Sequence, residues 1–192
     1  MKEIFVSTDI EANGPIPGPN SMLSFGSVAF DLTDPDNPVE VGSFGRNLLE
    51  IEGSAPDPAT MTEFWDKNPV AWVICRQDTV DPKVAMLEYV DWLKSLPGKV
   101  VFVGYPATYD FMWVYWYLMR FAGTSPFKFQ GLDAKTYASA VLKVPFHDVG
   151  KRSMPKEWFD EKLEHTHLAV DDAREQGVMF ARMRAANLRR EG

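Results

Sequence analysis

Ile4-Phe5-Val6-Ser7-Thr8-Asp9-Ile10-Glu11 is a β-branched and aromatic run that ends in two carboxylates, and it reads as a strand. Side chains alternate along a strand, so Asp9 and Glu11 share one face while Ile10 points to the other. The following Asn13-Gly14-Pro15-Ile16-Pro17-Gly18-Pro19-Asn20 is a loop by its Pro and Gly content. Met22 to Phe30 reads as a second strand. After the turn Thr33-Asp34-Pro35-Asp36-Asn37-Pro38, Val39 to Leu49 returns as a third, giving an antiparallel meander.

Downstream of the Pro-rich stretch Ser54 to Pro58 the pattern turns helical. Helices are expected over Met61 to Asp66, Val70 to Gln77 and Pro82 to Leu96, the last opened by the cap and proline pair Asp81-Pro82 and closed at Pro97-Gly98. Lys99 to Val103 reads as a buried strand, Tyr109 to Phe121 as an aromatic-rich helix and Phe129 to Asp133 as a short strand followed by a helix through Leu142. Pro145 to Pro155 reads as a loop, and His167 to Leu188 as a terminal helix. A meander followed by alternating strands and helices predicts an α/β fold with a mixed central sheet flanked by helices. One domain is expected over residues 1–192.

Composition bounds the function. Hydrophobic residues make up 45% and charged residues 24%, close to the globular average, which argues against disorder. A net charge of -7 argues against a protein that grips long nucleic acid through a broad basic surface, because such binding draws on phosphate neutralisation and counterion release. Any nucleic-acid substrate is expected to be held locally. The single cysteine, Cys75, excludes an intramolecular disulfide and reads as a small core residue. The N-terminal residues lack a long apolar segment with a small-residue cleavage site, so a cytoplasmic location and no membrane partner are expected.

Three clusters could carry chemistry. Asp9 and Glu11, like charges on one strand face, are suited to a hard divalent cation, although a strand turning polar before a loop looks the same. Asp110 follows a buried strand and the link Gly104-Tyr105-Pro106-Ala107-Thr108, in the first turn of a helix that Thr108 could cap. The helix dipole favours an acid there with or without a metal, but strand ends in α/β sheets are where sites are built. In His167-Leu168-Ala169-Val170-Asp171-Asp172-Ala173, the histidine suits a general base and Asp172 a further metal ligand, with His165 and Asp171 as competitors.

Together, Asp-x-Glu on the first strand, an Asp opening a mid-chain helix and His-x-Ala-x-x-Asp-Ala near the end resemble the DEDDh 3′→5′ exonucleases. That family has a ribonuclease H-like fold and includes oligoribonuclease, ribonuclease T and bacterial proofreading exonuclease subunits. The resemblance runs from about Ile4 to Ala186, with the motifs in the family's order. It implies that Asp9, Glu11, Asp110 and Asp172 hold two Mg²⁺ or Mn²⁺ ions and that His167 activates the attacking water. The five-residue step from His167 to Asp172 fits the third motif, whereas pairing His165 with Asp172 or His167 with Asp171 does not. Phe64-Trp65 also resembles a feature of a bacterial and phage branch. Two departures stand out. Asp9-Ile10-Glu11-Ala12-Asn13-Gly14 replaces the usual Asp-x-Glu-Thr-Thr-Gly, and Gly104-Tyr105 replaces a His-Asn common in the strand-to-helix link.

The expected reaction is hydrolysis of the last phosphodiester at a single-stranded 3′ end to a nucleoside 5′-monophosphate, with RNA or short oligonucleotides favoured over DNA on charge and size. Trp65, Tyr105 and Tyr109 are the expected stacking surfaces for a terminal base. The cluster of Phe111, Trp113, Tyr115, Trp116 and Tyr117 is expected in the core or at a homodimer interface. A catalytically silent nucleic-acid-binding module and a DNA proofreading subunit that binds a polymerase are the competing readings. The first is disfavoured by the presence of all five reactive positions and the second by the lack of a flexible interaction tail.

Overall fold

The computed structural model describes residues 2–163 and 166–190, the last of these by its backbone alone. Strands β1 (Glu3–Ala12), β2 (Met22–Asp31), β3 (Val39–Asn47), β4 (Lys99–Gly104) and β5 (Gly131–Asp133) form one sheet in the order β3-β2-β1-β4-β5. The first three make the expected antiparallel meander, and β4 and β5 run parallel to β1. The helices are α1 (Pro58–Glu63), α2 (Pro69–Ile74), α3 (Pro82–Ser95), α4 (Ala107–Tyr117), α5 (Ala134–Leu142) and α6 (Ala169–Arg190). Among the described residues no helix is long and apolar enough to cross a membrane.

Alternation along the strands sorts the core into two layers. Ile4, Val6 and Ile10 of β1, with Phe25 and Phe102, pack against Tyr89 and Leu93 of α3 and Trp113 and Tyr117 of α4. Phe5, Val28, Phe30 and Val103 pack on the other side against Ala138 of α5 and Ala173 and Phe180 of α6. Asp9 and Glu11 share the parity of Phe5 and therefore belong to the α6 side of the sheet. The aromatic cluster on α4 serves the core through Trp113 and Tyr117, both fully buried. Cys75 is buried with Leu23, Trp65 and Ala71.

Two glycines let α6 come close. Asp9 pairs with Gly26, and Gly26 pairs with Gly45, so a strip without side chains crosses the sheet beside Asp9. A Cβ at Gly26 would lie 2.3 Å from the Val170 backbone nitrogen, and one at Gly45 would lie 2.3 Å from Val170 Cγ2. The first turn of α6 sits on that strip.

Three differences from the sequence reading bear on the site. Helix α4 begins at Ala107, with Pro106 at the cap position, so Thr108 lies inside the helix and does not cap it. In its place the Asp133 carboxylate accepts the Ala107 N–H at 2.8 Å while capping α5 through the Thr136 N–H at 2.6 Å. The expected helix over Met61 to Asp66 instead starts at Pro58, capped by Asp57, and gives way to a short 3₁₀ turn over Trp65–Lys67. His167, expected to open the terminal helix, precedes it in the left-handed conformation, with φ of 57°.

Candidate active site

Strands β1 and β4 are paired only as far as Ser7 and Val103. Beyond that rung β1 continues through Asp9 and Glu11, while β4 ends at Gly104 and turns into α4. The fork lies where the sheet order changes direction, with the chain leaving β1 toward β2 on one side and leaving β4 into α4 on the other. Crevices at such points are where open α/β sheets bind ligands.

A cleft of about 320 Å³ opens there, lined by Asp9, Glu11, Tyr105, Tyr109, Asp110 and His167, with Thr60 and Phe64 on the α1 side. Asp172 lies beneath, 2% exposed. Glu11, His167 and Asp172 each offer one ligand atom, all within 4.8 Å of one another. Five sequence-derived residues from β1, α4 and the start of α6 are therefore gathered at one place. His165 lies outside the described residues. Asp171, the other competitor, is exposed, does not line the cleft and pairs with Arg174 at 3.3 Å.

Local bonds hold each group. The Asp172 carboxylate accepts the Thr166 N–H at 2.8 Å, and the Leu168 carbonyl accepts the Asp171 and Asp172 N–H groups at 2.9 and 3.0 Å. These bonds fix the bend that puts His167 over the cleft. A left-handed residue other than glycine costs on the order of 1–3 kcal/mol, and such strain clusters at functional sites. The His167 ring meets Phe64 edge-on, with centroids 5.3 Å apart. Arg174 bonds Glu40 of β3 at 3.1 Å and ties the same end of α6 to the sheet edge.

Burial pushes the Asp110 carboxyl up to about 8; the Glu11 charge adds to the rise, while backbone amides of Ile10 and Tyr105 oppose it. Burial likewise pushes the Tyr109 phenol up to about 12, and the charges of Asp110, Glu11 and Asp9 act in the same direction. Clustered acids of this kind pay a repulsion that a hard divalent cation relieves, and an oxygen-rich donor set suits Mg²⁺ or Mn²⁺.

The expected stacking surfaces divide. Tyr105 and Tyr109 line the cleft, and the Tyr109 hydroxyl donates to the Gly14 carbonyl at 3.2 Å. Trp65 does not: its ring is 2% exposed, packs on Trp72 and donates from Nε1 to the Ala12 carbonyl at 3.0 Å, so no base can reach it. Its neighbour Phe64 takes the wall of the cleft. The expectation of Trp65 as a stacking ring is therefore corrected to Phe64. Asp133 reads in the sequence only as the end of a short strand, although an Asp there, three residues before Thr136, is also a cap signal.

No protein-family model matches the chain. It is 31% identical over 188 residues to the 3′-5′ DNA exonuclease Cap18 of Escherichia coli, a match covering 93% of this chain and 90% of that protein. Among solved structures, the zinc-bound complex of Escherichia coli exonuclease I with single-stranded DNA superposes with a TM-score of 0.64 at 14% identity, over all of this chain and 42% of that one. The nuclease domain of 3′hExo bound to rAMP, described as a DEDDh family member, gives a TM-score of 0.64 at 13% identity over 98% of this chain and 93% of that one. Schizosaccharomyces pombe Pop2p, solved with Mg²⁺ and Mn²⁺, gives 0.64 at 14% over 94% and 81%. At these identities the solved structures establish the ribonuclease H-like fold. Joined to the extended match with Cap18, that fold makes this chain a member of the DEDDh 3′→5′ exonuclease family and a nuclease hydrolase acting on nucleic acid.

Proposed function

We propose that the protein removes nucleotides from single-stranded DNA 3′ ends, releasing nucleoside 5′-monophosphates with the help of two divalent ions. The convergence of Asp9, Glu11, Asp110, His167 and Asp172 on one cleft carries this reading. Acidity and size favour RNA or short oligonucleotides, but the DNA activity named for the relative matched over nearly its whole length outweighs that preference.

Asp9, Glu11, Asp110 and Asp172 would hold Mg²⁺ or Mn²⁺, which when bound supply charge neutralisation at the scissile phosphate. His167, poised at the rim, takes the proton of the attacking water. Tyr105, Tyr109 and Phe64 wall the space for the terminal nucleotide, with Phe64 replacing Trp65 as the stacking ring. Phe64→Ala removes a base contact worth about 1–3 kcal/mol and is expected to raise KM by roughly 5- to 150-fold. Trp65→Phe removes a buried hydrogen bond and is expected to cost roughly 1–3 kcal/mol of stability, seen as a lower Tm, with KM nearly unchanged.

The test of the function is degradation of end-labelled single-stranded DNA and RNA with Mg²⁺, Mn²⁺ or chelator, comparing wild type with Asp9→Ala and His167→Ala. Stepwise 3′ shortening that requires metal is expected, faster on DNA, with His167→Ala lowering kcat by about 10²–10⁴-fold. Faster shortening of RNA would reverse the substrate assignment. A folded, metal-supplied protein that shortens neither polymer would overturn the exonuclease reading.

A further inference from the structure

Gln176 lies one helical turn after Asp172 on α6 and is 5% exposed. The two N–H groups of its side-chain amide are shared among three acceptors, Ser7 Oγ at 2.9 Å and, over longer contacts, the Thr8 carbonyl at 3.3 Å and the Val103 carbonyl at 3.4 Å. Ser7 and Val103 form the last rung of the β1–β4 ladder. One amide group therefore sits in the fork itself and touches the strand that carries Asp9 and Glu11, the strand that leads to Asp110, and, through its own backbone, the helix that carries Asp172.

We propose that Gln176 is a positioning residue that sets the spacing of the metal-binding carboxylates by pinning β1, β4 and α6 at the point where the strands part. A purely apolar contact fixes distance loosely, whereas directional bonds to two backbones fix how far the strands separate above the rung. The next carboxylates lie one and three residues beyond Thr8, so a change of fork width is passed directly to Asp9 and Glu11. Mg²⁺ demands near-ideal octahedral geometry, which makes its binding sensitive to such a change. The sequence also offers a signal for this role, since a step of four places residues 172 and 176 on one helix face.

This proposal rests on the metal-site reading above, and its test separates the two. Mg²⁺ and Mn²⁺ are titrated calorimetrically into metal-free wild type, Gln176→Leu, Gln176→Glu, Ser7→Ala and Met183→Ala, and kcat and KM on a single-stranded oligonucleotide are measured at saturating metal. Neither Gln176 variant can donate to both strands, so both are expected to bind metal roughly 10–100-fold more weakly, as losses of groups that orient metal ligands do. Their kcat falls while KM stays within about twofold. Ser7→Ala, which removes only the 2.9 Å contact, shifts metal affinity less but in the same direction. Met183, fully buried on the same helix farther from the fork, controls for stability: Met183→Ala lowers Tm and leaves metal affinity unchanged. Metal affinity of the Gln176 variants equal to wild type, or an equal loss in Met183→Ala, would overturn the positioning role while leaving the site intact. A wild type that binds no divalent ion would overturn the site reading and this role with it.

Discussion

Asp110→Asn is expected to lower the exonuclease rate on the order of 10³-fold, the scale of losing a ligand that fixes catalytic charge, and at the same time to stabilise the metal-free protein. Asp110 is 4% exposed, and burial with the nearby Glu11 charge holds its carboxyl up to about 8, against 3.8 for an ordinary Asp. The folded state therefore keeps a proton that the unfolded chain releases. That stability is fully present below about pH 4 and is lost as pH rises toward 8. The uncharged Asn escapes this loss. Melting with chelator should place Asp110→Asn above wild type at pH 8, with the gap narrowing at pH 5. Excess Mg²⁺ should invert the order, because wild type alone gains the full linkage to bound ion. A variant that melts lower than wild type at pH 8 without metal would show that the buried charge costs the fold nothing.

The second large effect is expected at Gly26. Its added Cβ would meet the backbone of Val170 at 2.3 Å, so Gly26→Ala must move the start of α6 rather than a flexible side chain. Overpacking of this kind costs about 1–3 kcal/mol. The shift carries His167 and Asp172 with it, and displacements near 1 Å cost about 10²-fold in rate. Gly45→Ala meets Val170 Cγ2 instead, so Val170→Ala should rescue Gly45→Ala and leave Gly26→Ala unrescued. Gly150→Ala, with nothing within 4 Å of the new methyl, is the neutral control. Rescue of both glycine variants by Val170→Ala would place the clash in the side chain rather than in the helix backbone.

Much of the fold could be read from local signals. The alternation through Ile4 to Glu11 and the Pro and Gly punctuation after it defined the meander, because strand period and turn chemistry are local properties. The motifs at Asp9, Asp110 and His167 pointed to one site because their residue types and order were informative together. What resisted reading depended on contacts across the chain. Thr108 looked like a cap until Asp133, 26 residues from Ala107, took that role. Trp65 and Phe64 are neighbours in sequence, and it is the packing of Trp65 with Leu23 of β2, Ala71 and Cys75, together with its bond to the Ala12 carbonyl, that walls it in. The left-handed turn at His167 was hidden because its composition fits a helix, while the Thr166 bond to Asp172 selects a bend. Nothing in the strand pattern marks Gly26 and Gly45, whose need for a missing side chain comes from Val170 of α6 lying across them.

The bond from Gln176 to Ser7 joins positions 169 apart in sequence. Loop closure over such a span is slow and unrewarded until the intervening elements have formed. The acidic strand β1 and the mid-chain Asp110 therefore lie far in sequence from the terminal helix, whose start brings His167 and Asp172 to the cleft. Any form of the chain without α6 docked on the sheet lacks two of the five candidate site residues.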